Sequence, residues 1–140
     1  MSCVFCSLPS ERLIAQNDFA IAIRDGFPVS LGHTLIIPRR HVASFFELSE
    51  EERSALFVLL DEAKRTLDTQ CHPDGYNIGI NDGAAAGQTV MHLHMHLIPR
   101  YAGDLPDPRG GVLEGKRKSP RIARYDRVRF NFASPLPSSV

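Results

Sequence analysis

The sequence predicts an α+β domain built on an antiparallel sheet. One long stretch repeats its apolar residues at helical spacing behind a capping box. Short β-prone runs bounded by Gly and Pro lie on both sides of it. At 140 residues the chain is most economically one domain, large enough to bury a core without disulfide or other staples.

The elements follow in chain order. Residues 19–25, Phe-Ala-Ile-Ala-Ile-Arg-Asp, form a short β-prone run that Gly26-Phe27-Pro28 breaks. After Gly32, residues 33–37 make a second strand stopped by Pro38, and the two strands are expected to pair antiparallel. Ser49 and Glu52 form a capping box, with Ser49 as N-cap and Glu52 at N3. Behind it Leu56, Leu59, Leu60, Ala63 and Leu67 fall on one stripe, so a helix is expected from there to about Gln70, before Pro73. Lys64 and Arg65 sit toward its far end, where the helix dipole favours cations. Residues 76–81 alternate as a further strand, followed by a loop of small residues, 82–87. Residues 90–98 alternate strictly and predict a strand ending at Pro99. Beyond Arg100 the chain is rich in Pro, Gly and Arg, and residues 113–140 are read as a C-terminal extension to a catalytic domain of residues 1–112.

Composition narrows the function classes. Sixteen basic residues balance sixteen acidic ones, which gives no reason to expect nucleic acid or an anionic membrane as a partner. No basic segment followed by an apolar one opens the chain, and the longest apolar run, 55–60, is too short to span a bilayer. A soluble, cytoplasmic protein is the expectation. Of its three cysteines, Cys3 and Cys6 form a Cys-x-x-Cys pair, which in a reducing compartment points to metal or redox chemistry more than to a structural disulfide. Cys71 stands alone and is given no role, and His72 is read as loop.

Three of the six histidines occupy alternate positions in one five-residue stretch, His92, His94 and His96. In an extended strand they share one face, while Leu93, Met95 and Leu97 take the other. Few structural needs would place three imidazoles together. Two chemistries would: a metal centre completed by ligands from elsewhere, or an imidazole acting as nucleophile toward phosphorus with its neighbours orienting it or protonating the leaving group. The small-residue loop just upstream, with Gly83, Gly87, Gln88 and Thr89, offers donors for phosphate oxygens. No carboxylate lies within the strand to complete a metal set. Both features favour the nucleophile.

At these residues the chain resembles the histidine triad family, whose signature His-φ-His-φ-His-φ-φ is met by residues 92–98, His-Leu-His-Met-His-Leu-Ile. The resemblance extends to residues 32–41, Gly-His-Thr-Leu-Ile-Ile-Pro-Arg-Arg-His, and to Asn81-Asp82-Gly83 followed by residues 87–90, Gly-Gln-Thr-Val. A softer likeness to some bacterial members lies at residues 107–112. The resemblance implies an antiparallel sheet with one long and one short helix. It also implies attack by His94 on the α-phosphorus of a nucleotide, with His96 assisting the leaving group and His33 beside the triad. Asp25 would bind the ribose hydroxyls, and Asn81, Gln88 and Thr89 would lie near phosphate and leaving group. Ile23 and Leu35 would wall the base pocket.

A subgroup with an N-terminal Cys-x-x-Cys resembles this chain further, and implies a structural zinc held by Cys3, Cys6, His41 and His92. With four protein ligands no position would be open for water, so such a zinc would serve the fold and not the reaction. No organic cofactor is implied. The expected substrate is a small nucleotide conjugate, a dinucleoside polyphosphate or a nucleoside phosphoramidate. The expected assembly, by family analogy, is a homodimer. Two other functions stay open on the sequence: a nucleotide-binding regulatory module without turnover, and a metal-dependent hydrolase using the triad as ligands.

Overall fold

The computed structural model describes residues 3–109; the C-terminal extension expected at 113–140, and the domain end expected at 112, lie outside the described residues. Five strands form one antiparallel sheet: β1 (Leu13–Gln16), β2 (Ala20–Arg24), β3 (Thr34–Pro38), β4 (Gly75–Ile80) and β5 (Met95–Arg100). Their spatial order is β1-β2-β3-β5-β4, so β5 is inserted between β3 and β4. One helix, α1 (Glu50–Cys71), joins the two halves. The second, short helix is represented by three-residue 3₁₀ turns, among them Phe45–Glu47 between β3 and α1.

The capping box forms as read. The Glu52 amide donates to Ser49 Oγ at 3.1 Å, and the Ser49 amide donates to Glu52 Oε1 at 3.0 Å. Glu52 also takes a bidentate pair of hydrogen bonds from Arg40, at 2.8 and 3.1 Å, which ties the helix start to the end of β3. That guanidinium and the capping bonds hold its carboxyl down at about 2, against the opposing pull of burial. The helix ends at His72, whose backbone is left-handed (φ 49°), so the residue read as loop is the helix C-cap.

Both faces of the sheet are covered at β2 and β3, which explains why Ala20, Ile21, Ala22 and Ile23 are all buried despite the two-residue period of β2. Ala20, Ala22, Ile36, Met95 and Leu97 face α1 and meet Leu56, Leu59, Ala63 and Leu67. Each of the three buried leucines of α1 contributes roughly 1.5–3 kcal/mol by leaving water. Ile21, Ile23, Leu35 and Ile37 form a second cluster on the opposite face, under Phe5, Leu8 and Leu13. The N-terminal segment is thus the second layer of the molecule.

One strand differs from its expected bounds. Residues 90–94 are not part of the ladder; β5 begins at Met95 and runs through Pro99 to Arg100. The backbone of Leu93 donates to the carbonyl of Val42 (2.7 Å), a bond to the segment after β3 that replaces strand pairing there. Alternation of side chains requires only an extended backbone, so the pattern in 90–98 fixes orientation without fixing a ladder. The short edge strand β1 had no alternating pattern to announce it. Among the described residues no helix is long and apolar enough to cross a membrane.

Candidate functional site

Cross-strand register places the reactive groups. Ile23 pairs with Leu35, Leu35 with His96, and His96 with Gly79, so these four residues form one row across β2, β3, β5 and β4 on a single face. It is the face opposite α1, shared with the apolar cluster under the N-terminal segment. Ile23 and Leu35 are buried beside His96.

The three triad histidines divide into different jobs. His92, fully buried, turns toward the N-terminal segment: its Nδ1 lies 3.4 Å from Cys3 Sγ and 3.4 Å from Cys6 Sγ. Its Nε2 lies 2.7 Å from the carbonyl oxygen of Pro38. A carbonyl only accepts, so Nε2 carries the proton and Nδ1 offers its lone pair to the thiols. Burial pushes the His92 imidazole below its ordinary range, against the Pro38 bond that would raise it, which keeps the ring neutral and able to ligate. His41 Nδ1 lies 3.3 Å from Cys6 Sγ. The four donor atoms of Cys3, Cys6, His41 and His92 all fall within 4.8 Å of one another, and none of the cysteines is in a disulfide. Two thiols and two imidazoles at this spacing fit a tetrahedral, zinc-type ion. Partial desolvation, and then the neighbouring Cys3 thiol, hold the Cys6 thiol above its ordinary range, a cost that a bound cation would reverse.

His94 is half-buried, and its Nδ1 lies 2.9 Å from the His92 carbonyl. By the same donor argument Nδ1 is protonated, leaving the lone pair on Nε2. His96 and His33 form a buried pair, His33 Nε2 to His96 Nδ1 at 2.9 Å. The amide of Val29 donates to His33 Nδ1 at 3.0 Å, so His33 must carry its proton on Nε2 and donate to His96 Nδ1. The proton of a neutral His96 is then on Nε2. Asp25 Oδ2 lies 3.4 Å from His33 Nε2. His33, His96 and Asp25 also sit close enough for a cation. The Val29 amide opposes one there, since a ligating His33 Nε2 would force a proton onto Nδ1, facing another N–H.

The loop residues divide. Asn81 follows the end of β4 and is half-buried, and Thr89 is exposed. Gln88 does not have the free side chain expected of a phosphate contact. Its Oε1 accepts from the Gly83 amide (2.8 Å), and its Nε2 donates to the Ala43 and Val90 carbonyls (2.9 and 3.1 Å). Gln88 is therefore buried as the internal brace of the loop. Sequence reasoning missed Asp82, which accepts from Ser44 Oγ and the Phe45 amide at 2.9 Å each, pinning the other end of the loop. It also missed Phe5, whose ring edge meets His94 with centroids 5.2 Å apart. Its place between two cysteines was the available signal.

Fold and site together define a small α+β domain of histidine triad type, with an oriented imidazole, a buried imidazole pair behind it and a metal-fitting thiol–imidazole cluster at its flank. The HIT domain family model matches residues 9–103, and the chain belongs to that family. It is 38% identical over 104 residues to an uncharacterised HIT-like protein of Mycoplasma genitalium, covering 71% of this chain and 74% of that one. It is 34% identical over 104 residues to an adenosine 5′-monophosphoramidase of Schizosaccharomyces pombe, covering 71% and 75% respectively. Among solved structures, a zinc-bound histidine triad family protein from Mycobacterium smegmatis superposes with a TM-score of 0.66 at 34% identity, covering 89% of this chain and 96% of that one.

Proposed function

We propose that this chain cleaves a nucleotide conjugate at its α-phosphorus through a nucleotidyl-histidine on His94. The observation that carries the reading is the 2.9 Å contact of His94 Nδ1 with the His92 carbonyl, which leaves the lone pair on Nε2. His94 Nε2 forms a bond to phosphorus while the P–O or P–N bond to the leaving group breaks. His96 Nε2–H gives its proton to the departing oxygen or nitrogen. Water then attacks the phosphorus and gives its proton to His96 Nε2, which restores the acid, while the P–N bond to His94 breaks, its electron pair returns to Nε2, and the nucleoside monophosphate leaves. Asp25 binds the ribose hydroxyls, Ile23 and Leu35 flank the base, and Asn81 and Thr89 contact phosphate oxygens. Gln88 shapes the loop that presents them. The named activity of the Schizosaccharomyces pombe relative, a monophosphoramidase, supports the P–N case in particular.

Cys3, Cys6, His41 and His92 would hold a structural zinc, which would supply a fixed anchor for the N-terminal segment. Only one triad histidine faces the thiols, which supports keeping the ion out of the reaction.

Incubation with labelled adenosine 5′-phosphoramidate and dinucleoside polyphosphates, followed by acid-free trapping, should give one labelled histidine per chain. His94→Ala should still bind nucleotide and lose both adduct and turnover, by about a thousandfold or more, because the bond-making group is gone. Appreciable turnover in that variant would remove His94 from the mechanism.

A further inference from the structure

Phe5 lies between Cys3 and Cys6 in the chain, and between the metal-fitting cluster and His94 in space. Its ring meets His94 edge-on, at a centroid distance of 5.2 Å and an interplanar angle of 65°, and meets His92 at 5.9 Å and 87°. The same side chain packs on the cluster of Ile21, Ile23, Leu35 and Ile37. The turn that carries it is held within itself, by the Cys6 amide and Ser7 Oγ on the Cys3 carbonyl at 3.2 and 3.1 Å. Among the described residues, its polar links to the rest of the molecule are the contacts of Cys3 and Cys6 with His41 and His92.

His94 is fixed at one end by its bond to the His92 carbonyl. Swinging about that bond is limited by the rings packed on it, Phe5 at 5.2 Å and His96 at 5.1 Å. Edge-to-face ring contacts are directional, so they select an orientation as well as filling space. The metal cluster reaches His94 by two routes: through the backbone of His92, one of its donors, and through Phe5.

We propose that Phe5 is a positioning residue for His94, and that it transmits the occupancy of the Cys3–Cys6–His41–His92 site to the nucleophile. A bound ion clamps the turn and sets the Phe5 ring against the imidazole. Loss of the ion frees the turn, the ring withdraws, and Nε2 spends less time aimed at phosphorus. The proposal rests on His94 being the nucleophile, and its test is built to separate the two.

The test compares wild type, Phe5→Leu, Phe5→Tyr and Leu8→Ala, each metal-loaded and after chelation. Two quantities are read: the single-turnover rate of adduct formation at saturating adenosine 5′-phosphoramidate, and the NMR shifts of the His94 ring protons. Metal-loaded Phe5→Leu should form adduct about tenfold more slowly than wild type, the loss expected of a misaimed but intact nucleophile. It should also lose the ring-current shift at His94, and Phe5→Tyr should restore both. Chelation should bring wild type to the Phe5→Leu values, so that the difference between the two proteins disappears. Leu8→Ala, which thins the same apolar layer but removes no ring from His94, should match wild type in both measurements. An equal Phe5→Leu effect with and without metal, or an equal loss in Leu8→Ala, would overturn the coupling. If no protein forms adduct, the nucleophile reading has failed, and the His94 shifts still decide whether Phe5 reports on the metal. Should Phe5→Leu not fold, wild type against Phe5→Tyr decides: the His94 shifts of both must move together with metal release, and shifts that stay put overturn the proposal.

Discussion

The amide of Val29, 3.0 Å from His33 Nδ1, decides the protonation of two other groups. It places the His33 proton on Nε2, which makes His96 Nδ1 an acceptor at 2.9 Å and leaves the His96 proton on Nε2, where the proposed mechanism needs it. His33→Ala removes that donor and opens a void beside a fully buried face. His96 then loses both its tautomer and its fixed ring plane. Turnover is expected to fall by about ten- to a hundredfold, while nucleotide affinity changes by less than about threefold, because His33 is buried behind His96 and would act through it. Single-turnover kinetics beside calorimetric binding distinguish the two, and a fall in affinity matching the fall in rate would reassign His33 to binding. His33 stands out in the sequence from its Gly-His-Thr setting, as do the alternating histidines. The Val29 donor does not, because every residue but proline carries the same N–H and only the folded turn aims it. Gln88 shows the converse: its side chain is visible in the sequence, but whether it faces substrate or its own loop depends on where the Ala43 and Val90 carbonyls lie.

At the scale of elements, patterns that depend on local chemistry were legible and pairings between distant segments were not. The capping box and apolar stripe defined α1 to within one residue of its observed end, since both are set within a few turns of chain. The segment before β5 looks like strand in the sequence because alternation survives without a ladder. Gly32, the residue that turns the chain into β3, shows how much a short connection can govern. Its φ is +89°, and a Cβ there would stand 2.7 Å from Leu67 Cδ2, 3.3 Å from Cys71 Sγ and 3.3 Å from Pro99 Cγ. Leu67 is fully buried and packed in the main core, so its methyl has nowhere to retreat. Gly32→Ala therefore combines a left-handed backbone with overpacking, and should destabilise the fold by about 2–4 kcal/mol. Urea titration measures this, and a loss under about 1 kcal/mol would mean that the turn relaxes freely. Because His33 is the next residue, the surviving folded protein should also turn over more slowly.

Across the whole molecule, the sheet is closed on one face by a 22-residue helix and on the other by a short N-terminal segment that the thiol–imidazole cluster ties down. The cluster joins three distant parts of the chain, Cys3 and Cys6, His41 and His92, so a bound ion stabilises the folded state by linking what the unfolded chain keeps apart. Chelation should lower the melting temperature by at least roughly 5 °C, as measured by circular dichroism. The same treatment separates two mechanisms. If the triad held a catalytic metal, its removal would take away the activated water, and no adduct would ever form. If His94 attacks directly, the reacting groups are an imidazole lone pair, the His96 proton and the bound phosphate, none of which the chelator touches. Below the melting temperature of the chelated protein, adduct formation at saturating nucleotide should then persist, slowed by about the tenfold assigned to the loss of the Phe5 contact. Complete loss of adduct while the circular dichroism spectrum stays folded, with full recovery on adding zinc, would transfer His94 and His96 from nucleophile and acid to metal ligands.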